Sequence, residues 1–219
     1  MRLQSAIFDM DGTLLDSMYI WDDLGPGLLR RQGIQPAPDL AEKLKVMTLR
    51  QGADYCKEEY RLPQSVDGIV RDIEAQVEDF YRSRVEAKPG VKKFRSLLKM
   101  EGVWMYVATN TDRDLVETAL KHTGLDGYFR GILTCAEVGA GKKDSPEIYE
   151  RCMRRLRSTK KDTVIFEDAL HAIRTAKAAG FRVCAVYDPA AEAEQEEIKA
   201  LSDYYIRSFE EMFETKTLD

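Results

Sequence analysis

The chain has 219 residues, 44% of them hydrophobic and 32% charged, with a formal net charge of −5. That size and apolar content suit one large domain or a domain carrying an inserted smaller one, and the acidic balance argues against a general nucleic-acid or membrane-surface role, since both draw on a basic excess, while leaving room for a local basic pocket. No segment approaches the roughly 18 uninterrupted apolar residues of a spanning helix, and residues 1–5 lack the apolar core of a signal peptide.

In chain order, Ala6-Ile7-Phe8 is a short apolar run that stops at Asp9-Met10-Asp11-Gly12-Thr13. It reads as a buried strand opening into a turn. From about residue 17 to about residue 85 no strand is evident. Helix formers and charge dominate there, Asp39 begins a helix-capping pattern, and Pro36, Pro38 and Pro63 mark breaks between helices. Lys88-Pro89-Gly90-Val91 then resets the chain. A second apolar run, residues 103–108, ends in Thr109-Asn110, and Thr111-Asp112-Arg113-Asp114 has the form of a capping box for the helix that follows. Residues 131–134 form a third run. Ser145-Pro146-Glu147 predicts an N-cap at Ser145 with proline in the first helical position. Residues 164–166 form a fourth run, ending in Glu167-Asp168, before an alanine-rich helix that stops at Gly180. Residues 183–187 and 204–206 complete the set. Strand–helix alternation with near-continuous apolar strands predicts an α/β fold: a Rossmann-like parallel sheet covered on both faces, with an all-helical insertion after the first strand.

The cysteines, Cys56, Cys135, Cys152 and Cys184, form no CxxC pair, which leaves reduced buried thiols in a cytosol as the expectation. The two histidines, His122 and His171, stand in no catalytic motif. In parallel α/β sheets ligands bind beyond the carboxyl ends of the strands. Three strands here end in polar residues at that edge: Asp9 with Asp11, Thr109 with Asn110, and Glu167 with Asp168. Carboxylates converging there repel one another unless a cation lies among them, and an all-oxygen set favours a hard ion such as Mg²⁺. A lone acidic residue after a strand is ordinarily a turn former or cap. The ordered combination is what points to function.

Taken together, these motifs resemble the haloacid dehalogenase superfamily, in the branch with a helical cap inserted after the first strand, similar to β-phosphoglucomutase-like and phosphoglycolate phosphatase-like proteins. Asp9-Met10-Asp11-Gly12-Thr13 matches the family's first motif and Thr109 the second. Lys143 matches the third, with Asp144 where a proline is usual and Pro146 fixing the register against the neighbouring Lys142. Phe166-Glu167-Asp168 matches the fourth. The resemblance implies a core of residues 1–16 and 87–219 and a helical cap of residues 17–86, hinged near residues 14–17 and 87–90 and closing on substrate. It implies that Asp9 is the nucleophile and Asp11 the acid–base group. Asp9, the Asp11 carbonyl, Asp168 and, through water, Glu167 would hold Mg²⁺. Thr109 and Asn110 would bind phosphoryl oxygens, and Lys143 would neutralise charge.

Among cap residues, Tyr19, Trp21, Lys45 and Arg50 are candidate substrate contacts. Arg50 is the preferred anion reader and Trp21 stands where a sugar phosphomutase would carry a histidine. Asp11 argues against dehalogenation. The expected function is Mg²⁺-dependent hydrolysis of a small phosphorylated metabolite through a phospho-aspartate, in a cytoplasmic monomer or weak homodimer with no nucleic-acid or membrane partner. A β-phosphoglucomutase-like sugar phosphomutase is the alternative. A non-enzymatic binding protein on the same scaffold fits less well, because a retired site has no need of clustered carboxylates.

Overall fold

A computed structural model describes residues 3–45, 47, 49–140 and 143–213. The chain divides into two compact units, one of residues 1–17 and 85–219 and one of residues 18–84. The division falls one residue later and two residues earlier than the boundaries expected from the sequence.

The first unit is built on a six-stranded, all-parallel sheet. Its strands are β1 (Ser5–Phe8), β4 (Trp104–Thr109), β5 (Ile132–Thr134), β6 (Thr163–Glu167), β7 (Arg182–Val186) and β8 (Tyr204–Ile206), in the order β5-β4-β1-β6-β7-β8. Each coincides with an apolar run in the sequence, because a strand covered on both faces has no solvent side to encode in a polar alternation. Period two still sorts the side chains between faces. Ile7 and Ile165 pair across the sheet and enter a cluster with Ile148, Tyr149, Cys152 and Ile173. Their neighbours Phe8 and Phe166 enter an aromatic cluster on the other face. Those two rings stack at 4.5 Å, and Phe94 and Phe209 pack at 5.5 to 6.5 Å from them. Among its described residues this unit has the α-helices α5 (Val91–Met100), α6 (Arg113–His122), α7 (Glu147–Arg155), α8 (Leu170–Ala178) and α9 (Gln195–Leu201).

Two helix starts differ from expectation. The capping box at residues 111–114 does not form. Asp112, not Thr111, is the N-cap of α6 and makes no side-chain cap bond, and the Thr111 hydroxyl donates to Asp11 instead. Helix α7 begins at Glu147 with Pro146 as N-cap, one residue later than the pattern predicts, and the Ser145 hydroxyl accepts only a long bond (3.4 Å) from the Glu147 N–H. The sequence also gave no sign of an antiparallel ribbon in which β2 (Leu15–Asp16) pairs with β3 (Glu86–Ala87). Two residues per strand are too few to show any period.

The second unit is entirely helical among its described residues: α1 (Tyr19–Arg31), α2 (Leu40–Lys45), α3 (Leu49–Tyr60) and α4 (Val66–Ser83). The breaks before α2 and before α4 fall at Pro36, Pro38 and Pro63, whereas the break between α2 and α3 has no proline and Pro26 lies inside α1. Ser65 caps α4 by accepting the Gly68 N–H at 3.1 Å. Gly25 of α1 lets the Leu44 side chain of α2 approach to a point that any Cβ would obstruct.

Candidate active site

The parallel register sets the site. Phe8 lies level with Phe166 on one side and Val107 on the other, and the Asp9 N–H donates to the Phe166 carbonyl at 2.9 Å. Asp9, Glu167 and Thr109 therefore leave the same edge of three adjacent strands. Asp9, Glu167 and Asp168 are 7%, 1% and 4% exposed, and one carboxylate oxygen from each lies within 4.8 Å of the others.

Lys143 is buried against this cluster. Its ammonium donates to Asp9 Oδ1 and to Glu167 Oε1, the latter at 2.8 Å. Burial alone would lower its proton affinity, but the Asp9 and Glu167 carboxylates overcome that and raise it. The same cluster pushes Asp9 well above the usual carboxylate range. Burial is the main cause and Glu167 adds to it, Lys143 opposes, and Asp168 and Asp11 contribute further. Asp168 is pushed up to about 8 by burial first and Glu167 second. The Thr13 hydroxyl, which donates to Asp168 Oδ1 at 2.7 Å, pulls it down, as does Lys88, and Asp188 pushes it up. Among the described residues one bonded ammonium faces three buried carboxylates, so with all three ionised two negative charges are left over. An oxygen-only cluster with that deficit fits a hard divalent cation.

The oxygens are not equally available to an ion. Glu167 Oε1 accepts from Lys143 and from the Tyr149 hydroxyl at 3.2 Å, and Oε2 accepts the Asp168 N–H at 3.1 Å. Asp9 and Asp168 keep more free lone pairs. Gly12 makes the close approach of Asp168 possible. It has φ +78°, and a Cβ there would sit 2.7 Å from Asp168 Cγ, so only glycine satisfies both the turn and the contact.

Asp11 is partly buried and held on both sides. Ser17 Oγ donates to its Oδ1 at 2.7 Å and Thr111 Oγ1 to its Oδ2 at 2.6 Å. Thr109 is buried, and its hydroxyl oxygen accepts the Thr111 N–H at 3.1 Å, which leaves its own hydrogen to donate. Asn110 is exposed and its Oδ1 accepts from the Cys135 thiol at 2.9 Å. The structure thus brings Asp9, Lys143, Glu167 and Asp168 into one buried cluster and places Asp11, Thr109 and Asn110 at the ends of strands β1 and β4. Ser17, Thr13, Thr111 and Tyr149 were missed in the sequence. Thr111 was read as a capping residue, and a hydroxyl partner 100 positions away leaves no local pattern.

Of the residues expected to contact substrate from the helical unit, Trp21 is 46% exposed and Tyr19 55%, with the Tyr19 ring edge-on to Phe80. Arg50 is exposed and its Nη1 pairs with Asp67 Oδ1 at 2.7 Å. The Lys45 side chain and Lys142 lie outside the described residues. His122 and His171 are exposed, and all four cysteines are buried free thiols.

A family model for haloacid dehalogenase-like hydrolases matches residues 6–186. A phosphorylated carbohydrates phosphatase from Thermotoga maritima is 25% identical over 178 residues, which is 81% of this chain and 82% of that protein. Hexitol phosphatase B of Escherichia coli is 26% identical over 219 residues, covering 96% of this chain and 95% of that one. Among solved structures, a β-phosphoglucomutase-like protein from Thermotoga maritima shares the fold with a TM-score of 0.82 at 23% identity, across 99% of this chain and all of that one. With the family model spanning the strand-end carboxylates from Asp9 to Asp168, the chain belongs to the haloacid dehalogenase-like hydrolases.

Proposed function

We propose that this protein is a cytoplasmic, Mg²⁺-dependent phosphatase that hydrolyses a small phosphorylated metabolite through a phospho-aspartate on Asp9. The observation that carries the reading is the buried cluster of Asp9, Glu167 and Asp168 with Lys143 bonded to two of its members. Family membership makes the chain a haloacid dehalogenase-like hydrolase, and the phosphatases among its relatives, on phosphorylated carbohydrates and hexitol phosphates, support phosphate esters as its substrates. Four unpaired, buried cysteines support a reducing compartment.

A divalent cation held by Asp9, the Asp11 carbonyl and Asp168, with Glu167 behind them, would offset charge on the phosphoryl group and the attacking carboxylate. The chain's own groups supply the rest. One Asp9 oxygen attacks phosphorus in line with the leaving oxygen. Asp11 gives a proton to the leaving alcohol, then takes one from the water that opens the acyl phosphate. The Thr109 hydroxyl and the Asn110 backbone N–H hold phosphoryl oxygens, and the Lys143 ammonium neutralises charge shared between the phosphoryl group and Asp9. The helical unit would supply residues that read the rest of the substrate, with exposed Trp21 and Arg50 the foremost candidates. Arg50 would exchange its Asp67 partner for a second acidic group on the substrate.

The direct test is Asp9→Asn assayed with p-nitrophenyl phosphate and Mg²⁺. Turnover should disappear while the fold is retained, and [³²P]phosphate from a labelled substrate should no longer attach to the chain. Undiminished turnover would remove the nucleophile assignment.

A further inference from the structure

The chain re-enters the sheet unit through β3 and immediately reaches Lys88, whose N–H donates to the Leu14 carbonyl at 2.9 Å. The Lys88 side chain is 11% exposed and runs to the end of β7. There its ammonium donates to the Tyr187 carbonyl at 2.7 Å and lies 2.8 Å from Asp188 Oδ2. The Asp188 side chain is 2% exposed. Asp188 Oδ1 accepts the Ala190 N–H at 2.9 Å, whereas among the described residues Oδ2 has no directed hydrogen bond and meets the Lys88 charge. An ion pair this deep is costly to desolvate and adds little to stability by itself, so its presence beside the site calls for another role. Its location supplies one. Asp188 follows β7, the strand next to β6, and β6 leads into Asp168. Both charges bear on Asp168, in opposite senses: Lys88 lowers its proton affinity and Asp188 raises it.

We propose that Lys88 and Asp188 are positioning residues for the metal site: a buried, oppositely charged pair that sets how strongly Asp168 and its neighbours hold a divalent cation. The proposal rests on the metal-site reading above. The sign of each effect follows from charge alone. Removing Lys88 makes the surroundings more negative and tightens cation binding, while removing the Asp188 charge loosens it. A purely structural pair behaves otherwise, since losing either partner would disorder the loop and weaken binding.

The test is calorimetric titration of the full chain with Mg²⁺, after chelator treatment, for the parent, Lys88→Met, Asp188→Asn, the double variant and Lys88→Arg. Asparagine can still accept the Ala190 N–H, so the turn survives in Asp188→Asn. The expected Kd falls roughly threefold to tenfold in Lys88→Met and rises by a similar factor in Asp188→Asn. The double variant returns to within about twofold of the parent, as does Lys88→Arg. Weaker binding in both single variants, or no shift in either, overturns the proposal while the metal-site reading stands. If Asp188→Asn fails to fold, Lys88→Met decides by itself, and binding that is not tighter than the parent's overturns the inference. A parent that takes up no Mg²⁺ overturns the metal-site reading and this inference together.

Discussion

Replacing Lys143 by methionine keeps an unbranched side chain of similar volume and removes the ammonium bonded to Asp9 and Glu167. Three carboxylates with oxygens within 4.8 Å of one another then share a buried space without that counter-charge. Breaking a buried pair from one side costs about 3–5 kcal/mol, a large part of the roughly 5–15 kcal/mol that holds a domain folded. Urea unfolding at pH 8 in EDTA should show that loss as a lower midpoint with an unchanged slope. Lys143 and a bound cation repel each other, so the variant should bind Mg²⁺ more tightly than the parent. Mg²⁺ at about a hundred times Kd adds about 2.7 kcal/mol, and the midpoint gained on adding it should be larger in the variant. Turnover should not follow stability back. Loss of a preorganised group facing the transferred charge lowers kcat by about 10²–10³, and Mg²⁺ should not restore it. An EDTA midpoint equal to the parent's would refute the idea that Lys143 balances the buried carboxylates. Full recovery of kcat with Mg²⁺ would show that an ion can do what the lysine does.

Metal-free protein should lose stability as pH rises. Asp168 is raised to about 8 in the fold, against about 3.9 unfolded, so the native state holds the extra proton between those values and stability declines from the lower pH towards the upper. Between pH 6 and 8 in EDTA the loss should be about 2 kcal/mol, read as a falling melting temperature that Mg²⁺ flattens; a melting temperature that stays level or climbs in EDTA would contradict the charge accounting of the site. Thr111→Val removes the hydroxyl on Asp11 Oδ2 but keeps the N–H that bonds Thr109. A hydrogen bond worth about 1 kcal/mol predicts about a fivefold lower kcat with a parent-like fold by circular dichroism, and an unchanged kcat would show that Ser17 holds Asp11 sufficiently alone. Gly12→Ala meets both the positive φ and the Asp168 side chain. It should destabilise by more than about 1–2 kcal/mol and weaken Mg²⁺ binding measurably, whereas parent-like metal binding would mean that Asp168 can move aside without cost.

The sequence determined the strands, because a strand buried on both faces must be apolar almost throughout, and such runs stand out between charged helices. It also determined which acidic residues end them, since a carboxylate directly after a buried run has few reasons to be there. Lys143 followed from the family's third motif, with Pro146 fixing its register. What it did not determine was how those groups are held. The sheet order β5-β4-β1-β6-β7-β8 is a choice among pairings of similar strands, decided by which faces the helices can cover. That order puts Asp9 between Thr109 and Glu167 and sets Asp188 one strand further out. Ser17 and Thr111 on Asp11, Tyr149 on Glu167, and Lys88 on Asp188 are joined across spans of 6 to 100 residues. Serine, threonine, tyrosine and lysine at such positions read equally well as caps, core or surface. Only the packed sheet brings their polar atoms within hydrogen-bonding reach, and burial then makes those few contacts count.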